Sequence, residues 1–135
     1  LFLFLACSTK PQPINFGKDL CDYCKMTIVD PKFGAEVVTK KGKAYKFDDL
    51  YCLVAFLKGE TIAEKDIKKT LTVDYSKEKE LIPVETAFFL KSENLNSPMN
   101  GNIAGFSSEA AAKKTMAVKS GSIMKWNDVY KKTSQ

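Results

Sequence analysis

The chain has 135 residues, 44% of them hydrophobic, enough for one compact domain or two very small ones and for a modest core without many disulfides. Its 21 basic and 16 acidic residues leave a net charge of +5, and every basic residue is a lysine. Without arginine the usual bidentate reader of phosphate and guanine is missing, which argues against sequence-specific nucleic-acid binding; without histidine the commonest general base is missing too.

The first residues, LFLFLACSTKPQP, run from Leu and Phe through Ala6-Cys7 into Ser, Thr, Lys, Pro and Gln. The apolar run is too short to span a bilayer and reads as the end of a signal peptide over 1–7. The pattern resembles a bacterial lipoprotein signal, with Cys7 lipidated as the first mature residue and Phe4 where leucine is commoner. That implies a protein outside the cytoplasm, in the periplasm or at the cell surface, anchored to a bacterial membrane by acyl chains. A buried strand is the alternative, which Pro11 and Pro13 oppose. Residues 8–19 then read as a flexible tether without apolar periodicity.

From Leu20 the pattern becomes that of a folded domain. FGAEVVTKKGKAYKF predicts two strands around a turn at Lys40-Lys41-Gly42. Asp48 is placed to cap a helix over DDLYCLVAFLK that stops at Gly59, with Leu50, Leu53, Val54 and Leu57 as its inward stripe. Cys52, Ala55 and Phe56 make the same helix apolar on most sides. TLTVDY reads as a further strand and SKEKE as an exposed connector.

The second half repeats the plan. TAFFLKS and NIAGF read as strands around the loop ENLNSPMNG, Ser107 as the cap of SSEAAAKKTMAVKS, and SIMKW as a last strand. The expectation is an α+β fold of two small pseudo-repeated ββα(β) units, the first over 20–76 and the second over 77–131, with a tail at 132–135.

The chemistry concentrates in CDYCKM, residues 21 to 26. A redox dithiol of the thioredoxin type lies at a helix N-terminus, whereas a β-type run, Met26-Thr27-Ile28-Val29, follows here. A closed zinc site needs a second CxxC or histidines, and the chain has neither. A Cys21–Cys24 disulfide that only shapes a loop fits an interaction module outside the cytoplasm. Thiolate plus thioether selects Cu(I), and in an extended segment Cys24 and Met26 point to one face. Met116 and Met124 read as core; Met99, in the polar turn SPMNG, reads as a candidate ligand from the second half. Cys52, inside the most apolar helix, reads as a small core hydrophobe.

The segment CDYCKMTIVDPKFGAEVVTKKGKAYKFDDLYCLVAFL, with VDYSKEKELIPVETAFFLKS and SPMNGNIAGFSSEAAAK, resembles the NosL family of lipoprotein copper chaperones over most of Leu20 to Trp126. The resemblance implies a duplicated ββαβ fold related to that of organomercurial lyase, and Cu(I) as cargo. It implies an ABC-type assembly complex and nitrous oxide reductase, with its CuZ site, as partners. Carried over by position, the copper ligands are Cys24, Met26 and Met99, with Cys21 as a further candidate. Lys25 stands where the family usually has glycine, Asn100 separates Met99 from Gly101, and no histidine is available, so the site is all sulfur or is completed by water or the recipient. The chain reads as a carrier rather than an enzyme; an organomercurial-lyase-like thiol enzyme is a further alternative that one CxxC does not furnish.

Overall fold

The structure, a computed structural model, describes residues 8–133. The signal-peptide end and the lipidated Cys7 expected within 1–7 lie outside the described residues. No helix among the described residues is long and apolar enough to cross a membrane.

Among the described residues two antiparallel sheets carry three α-helices. Strand β1, Ala35–Thr39, is buried along its whole length, as a Val-rich central strand should be. It pairs with β2, Ala44–Phe47, through the expected turn, where the Gly42 N–H bonds to the Thr39 carbonyl at 2.9 Å. Helix α1, Leu50–Lys58, follows and ends at Gly59. Strand β3, Ile67–Val73, returns to the other side of β1, and β4, Leu81–Pro83, adds to β3, giving the order β2-β1-β3-β4. Strand β5, Phe88–Lys91, pairs with β6, Ile103–Phe106, and after helix α2, Glu109–Lys119, with β7, Ser122–Met124. The second sheet therefore has the order β6-β5-β7. In each sheet the first strand lies between the second and the third, and a helix connects the second to the third.

Both caps fall one residue later than the sequence suggests. Asp49, not Asp48, is the N-cap of α1, accepting from the Tyr51 N–H at 2.9 Å. Ser108, not Ser107, caps α2, accepting from the Ala111 N–H at 3.1 Å. In each pair the residue next to the helix has the extended backbone that lets its oxygen turn back onto the first turn. The displacement leaves Asp48 free for other work. SIMKW also divides: the strand ends at Met124, and Trp126 starts a short helix α3, Trp126–Lys132.

Residues from both halves share one core. Phe47, Leu53, Val54, Phe89, Ile103, Met124 and Val129 are buried in a single cluster, with Phe47 against Phe56 at 5.0 Å and Phe89 against Trp126 at 5.9 Å. Each fully buried side chain of this size contributes about 1.5–3 kcal/mol. The sheets meet where an isolated parallel bridge joins Asp74 to Gly105. A Cβ on Gly105 would lie 2.7 Å from Thr72 Cγ2. Gly105→Ala is therefore expected to destabilise the protein by about 1–3 kcal/mol, read as a lower urea midpoint at unchanged slope; an unchanged midpoint would show that the junction yields freely.

The segment preceding the cysteines is not a free tether throughout. Gln12 donates its N–H to Glu36 Oε1 at 2.7 Å, Lys46 Nζ reaches the Pro13 carbonyl at 2.9 Å and Asp19 Oδ2 at 2.8 Å, and Ile14 is buried. Lys46 in turn holds the Asp19 carboxyl below its ordinary range. Residues 12–19 thus form a strap fixed to the first sheet, apolar and polar contacts replacing the expected freedom.

Candidate metal centre

The CxxC loop is a closed turn seated on the outer edge of β2. Leu20 bridges Thr27, the Cys21 N–H bonds to the Met26 carbonyl at 2.8 Å, and the Lys25 N–H to the Cys21 carbonyl at 3.0 Å. Asp22 fastens the turn twice, its N–H to the Lys46 carbonyl and its Oδ2 to the Lys46 N–H, each at 2.7 Å. Closing it puts Lys25 at φ +67°, the left-handed region that glycine occupies without penalty. The expected alternation of Cys24 and Met26 along a strand does not hold, because Cys24 lies in the turn rather than in extended chain. Cys24 is half-buried, while Met26 is 62% exposed.

Behind the turn lies a group of donors from three elements. Cys21 comes from the loop, Asp48 from the bend that follows β2, and Cys52 from the first turn of α1; all three are buried. With Cys24 they offer three sulfurs and one carboxylate oxygen, all within 4.8 Å of one another. The Cys24 N–H points at Cys21 Sγ, 3.5 Å away, and Cys24 Sγ lies 3.5 and 3.6 Å from the two Asp48 oxygens. Cys21, Cys24 and Cys52 are free thiols, so the Cys21–Cys24 bridge of the interaction-module reading is not formed.

The thiols are not equivalent. The Cys52 thiol shares its proton with Cys21, and backbone N–H groups of Cys24, Asp48 and Tyr23 converge on the same sulfur. Against the opposing effect of burial they lower Cys21 from 9.0 to about 6. Cys52, as the partner that keeps the proton and is buried, is pushed strongly upward. Burial, with the negative charge of Cys21 and Asp48 nearby, raises Cys24 to about 11. Near neutral pH the group therefore holds one thiolate, at Cys21, and two thiols that release protons when a cation arrives.

The two candidate methionines lie in different settings, Met26 exposed and Met99 partly buried. Met99 is partly buried against the main core, as Cys24 and Tyr51 are. Its loop is fastened to Asp49: Oδ2 accepts from the Met99 N–H at 2.8 Å and from Ser97 Oγ at 2.6 Å. Only glycine fits at 101, where a Cβ would lie 2.6 Å from Asp49 Oδ1. Asn100 has φ +57° there, a conformation Asn tolerates. Asp48 faces the thiols and Asp49 holds the methionine loop, so the pair joins the first half's cysteines to the second half's turn.

Cys52 and Asp48 are the donors that sequence reasoning passed over, as core filler and as helix cap. Their signal was spacing: four residues apart at a helix start, they share one face.

Comparisons with known proteins agree with this architecture. The NosL family model matches residues 13–134. The crystal structure of the copper chaperone NosL from Shewanella denitrificans superposes with a TM-score of 0.76 at 21% identity, covering 90% of this chain and 96% of that one. No curated protein matches.

Proposed function

Because the chain belongs to the NosL family, we propose that it carries Cu(I) and surrenders it to another protein. The copper-chaperone description of the Shewanella relative supports this reading. So does the observation that carries it: a thiolate-favouring Cys21 beside Cys24, with Met26 exposed two residues farther along the chain. Two or three soft donors are enough for Cu(I), and Cys24, Met26 and Met99, with Cys21 as a further candidate, are the set we assign to it. Release proceeds by ligand exchange, each sulfur of this chain leaving with its electron pair as a recipient sulfur binds. No electron is transferred, and the protein is a carrier rather than a catalyst.

The proposed destination is an ABC-type assembly complex and, through it, the CuZ site of nitrous oxide reductase; the proposed location is the periplasm or cell surface, through lipid on Cys7. Mass spectrometry of protein extracted from the envelope should find an acylated N-terminal Cys7, and an unmodified chain would remove the anchor. Reductase from cells lacking this protein should be copper-deficient, and a fully loaded enzyme would remove the client.

The metal assignment is tested by anaerobic titration of the reduced protein against a chromophoric Cu(I) chelator. One ion per chain is expected, with Met26→Leu lowering affinity about tenfold and leaving the unfolding midpoint unchanged, since the side chain is exposed. Unaltered binding in both Met26→Leu and Cys24→Ser would remove these ligands from the site.

A further inference from the structure

Asp48 is the donor that a purely Cu(I) reading leaves without a role. It is 3% exposed, and the hydrogen bonds its carboxylate accepts among the described residues come from thiols, Cys24 at 3.5 and 3.6 Å and Cys52 beside it. A thiol is a weak donor, and a buried carboxylate with no better partner is costly. No lysine forms a salt bridge with it among the described residues. A carboxylate so placed calls for a cation, and a harder one than Cu(I), which prefers sulfur.

The spacing fits a tetrahedral ion. With metal–sulfur bonds of about 2.3 Å and a metal–oxygen bond of about 2.0 Å, the sulfur–oxygen edge of a tetrahedron is about 3.5 Å. Cys24 Sγ already stands 3.5 and 3.6 Å from the Asp48 oxygens. The corresponding sulfur–sulfur edge is about 3.8 Å, so donors within 4.8 Å of one another need to close by at most about 1 Å. Charge points the same way. Three thiolates and a carboxylate around a monovalent ion leave three buried negative charges, around a divalent ion two.

We propose that Cys21, Cys24, Cys52 and Asp48 form a four-donor seat for a divalent tetrahedral ion, Zn2+, distinct from the sulfur-only set assigned to Cu(I) but sharing Cys21 and Cys24 with it. Sharing makes the two ions exclusive: a chain loaded with Zn2+ cannot also hold Cu(I) tightly. Asp48 is then the residue that sets metal preference. Binding displaces thiol protons and involves no redox step.

The test uses the reduced full chain and two probes, Co2+ as a spectroscopic stand-in and Zn2+ in competition with a chromophoric chelator. One Co2+ per chain should give thiolate-to-metal charge-transfer bands and the intense visible bands of a tetrahedral site, removed by one equivalent of Zn2+. Asp48→Asn should weaken Zn2+ binding about tenfold and change Cu(I) binding less than about threefold; Cys52→Ser should weaken Zn2+ about 100-fold. Absence of the charge-transfer bands in the unaltered protein overturns the proposal whether or not the variants fold. Equal losses of Zn2+ and Cu(I) in Asp48→Asn overturn the role of Asp48 as selector. Tight Cu(I) binding without Zn2+ binding would sink this seat and leave the copper carrier standing.

Discussion

Cys21→Ser is expected to lower the apparent affinity for a soft metal ion at pH 7 by about 100-fold or more, a loss of about 2.7 kcal/mol or greater. The reason is the proton count. Cys21, lowered to about 6, is already ionised at neutral pH, whereas Cys24, raised to about 11, is not. A cation meeting the native site finds one thiolate in place, and must displace the proton of each further thiol that coordinates. Above pH 6 the apparent affinity should therefore rise about tenfold per pH unit if Cys24 alone gives up a proton, and about 100-fold if Cys52 does so as well. Below pH 6 Cys21 also takes up a proton, and the dependence steepens by one more power of ten per unit. Competition titrations from pH 5 to 9 measure both slopes. The serine variant should lose the break near pH 6, and a native profile without that break would mean that Cys21 is not the resident thiolate.

The second large effect belongs to Asp49, whose carboxylate meets the proposed ligand Met99 only at its backbone N–H. Its fully buried carboxylate caps α1 at Tyr51, accepts the Ser97 hydroxyl, and accepts the Met99 N–H. A cap is worth about 1 kcal/mol and a hydrogen bond to a charged group about 1.5–3. Because the three act together rather than additively, Asp49→Ala should cost about 3–5 kcal/mol. Urea unfolding gives the loss, and amide exchange at Met99 should quicken as its loop comes free. Asp49→Asn keeps an oxygen for the cap and should cost markedly less. If alanine costs under about 1 kcal/mol, the methionine loop is held by something other than this carboxylate.

How much of this could be read beforehand varies with the kind of signal. The β1–β2 hairpin was legible because AEVVT is apolar and β-branched and Gly42 closes its turn; α1 was legible because its apolar run ends at Gly59. The caps were displaced by one because Asp48-Asp49 and Ser107-Ser108 offer the same chemistry twice, and only backbone geometry chooses between them. Helix α3 left little trace, since Val129 is its only buried residue, and β4 is three residues ending in proline. Candidate metal chemistry was legible in the CxxC-x-Met spacing, and the family in its combination with the Phe47-Asp48-Asp49 helix start and the Pro98-Met99 loop. The composition of the thiol group was not. Cys52 has the apolar sequence neighbours of any core residue, and nothing local says that its sulfur meets Cys21 across the helix start. Lys25 hid the turn, because a lysine in left-handed backbone is not something a sequence announces.

The strap over residues 12–19 has a consequence for range. With lipid on Cys7, as proposed, the slack between membrane and domain is only the stretch from Cys7 to Gln12, where Glu36 takes hold. At about 3.3–3.6 Å per residue that stretch spans no more than about 18 Å. A carrier tethered in that way would patrol a thin layer over the bilayer rather than the volume of the compartment. Any acceptor it serves must bring its own sulfurs down into that layer, so membrane-bound acceptors would be reached and freely diffusing ones only when they graze the surface.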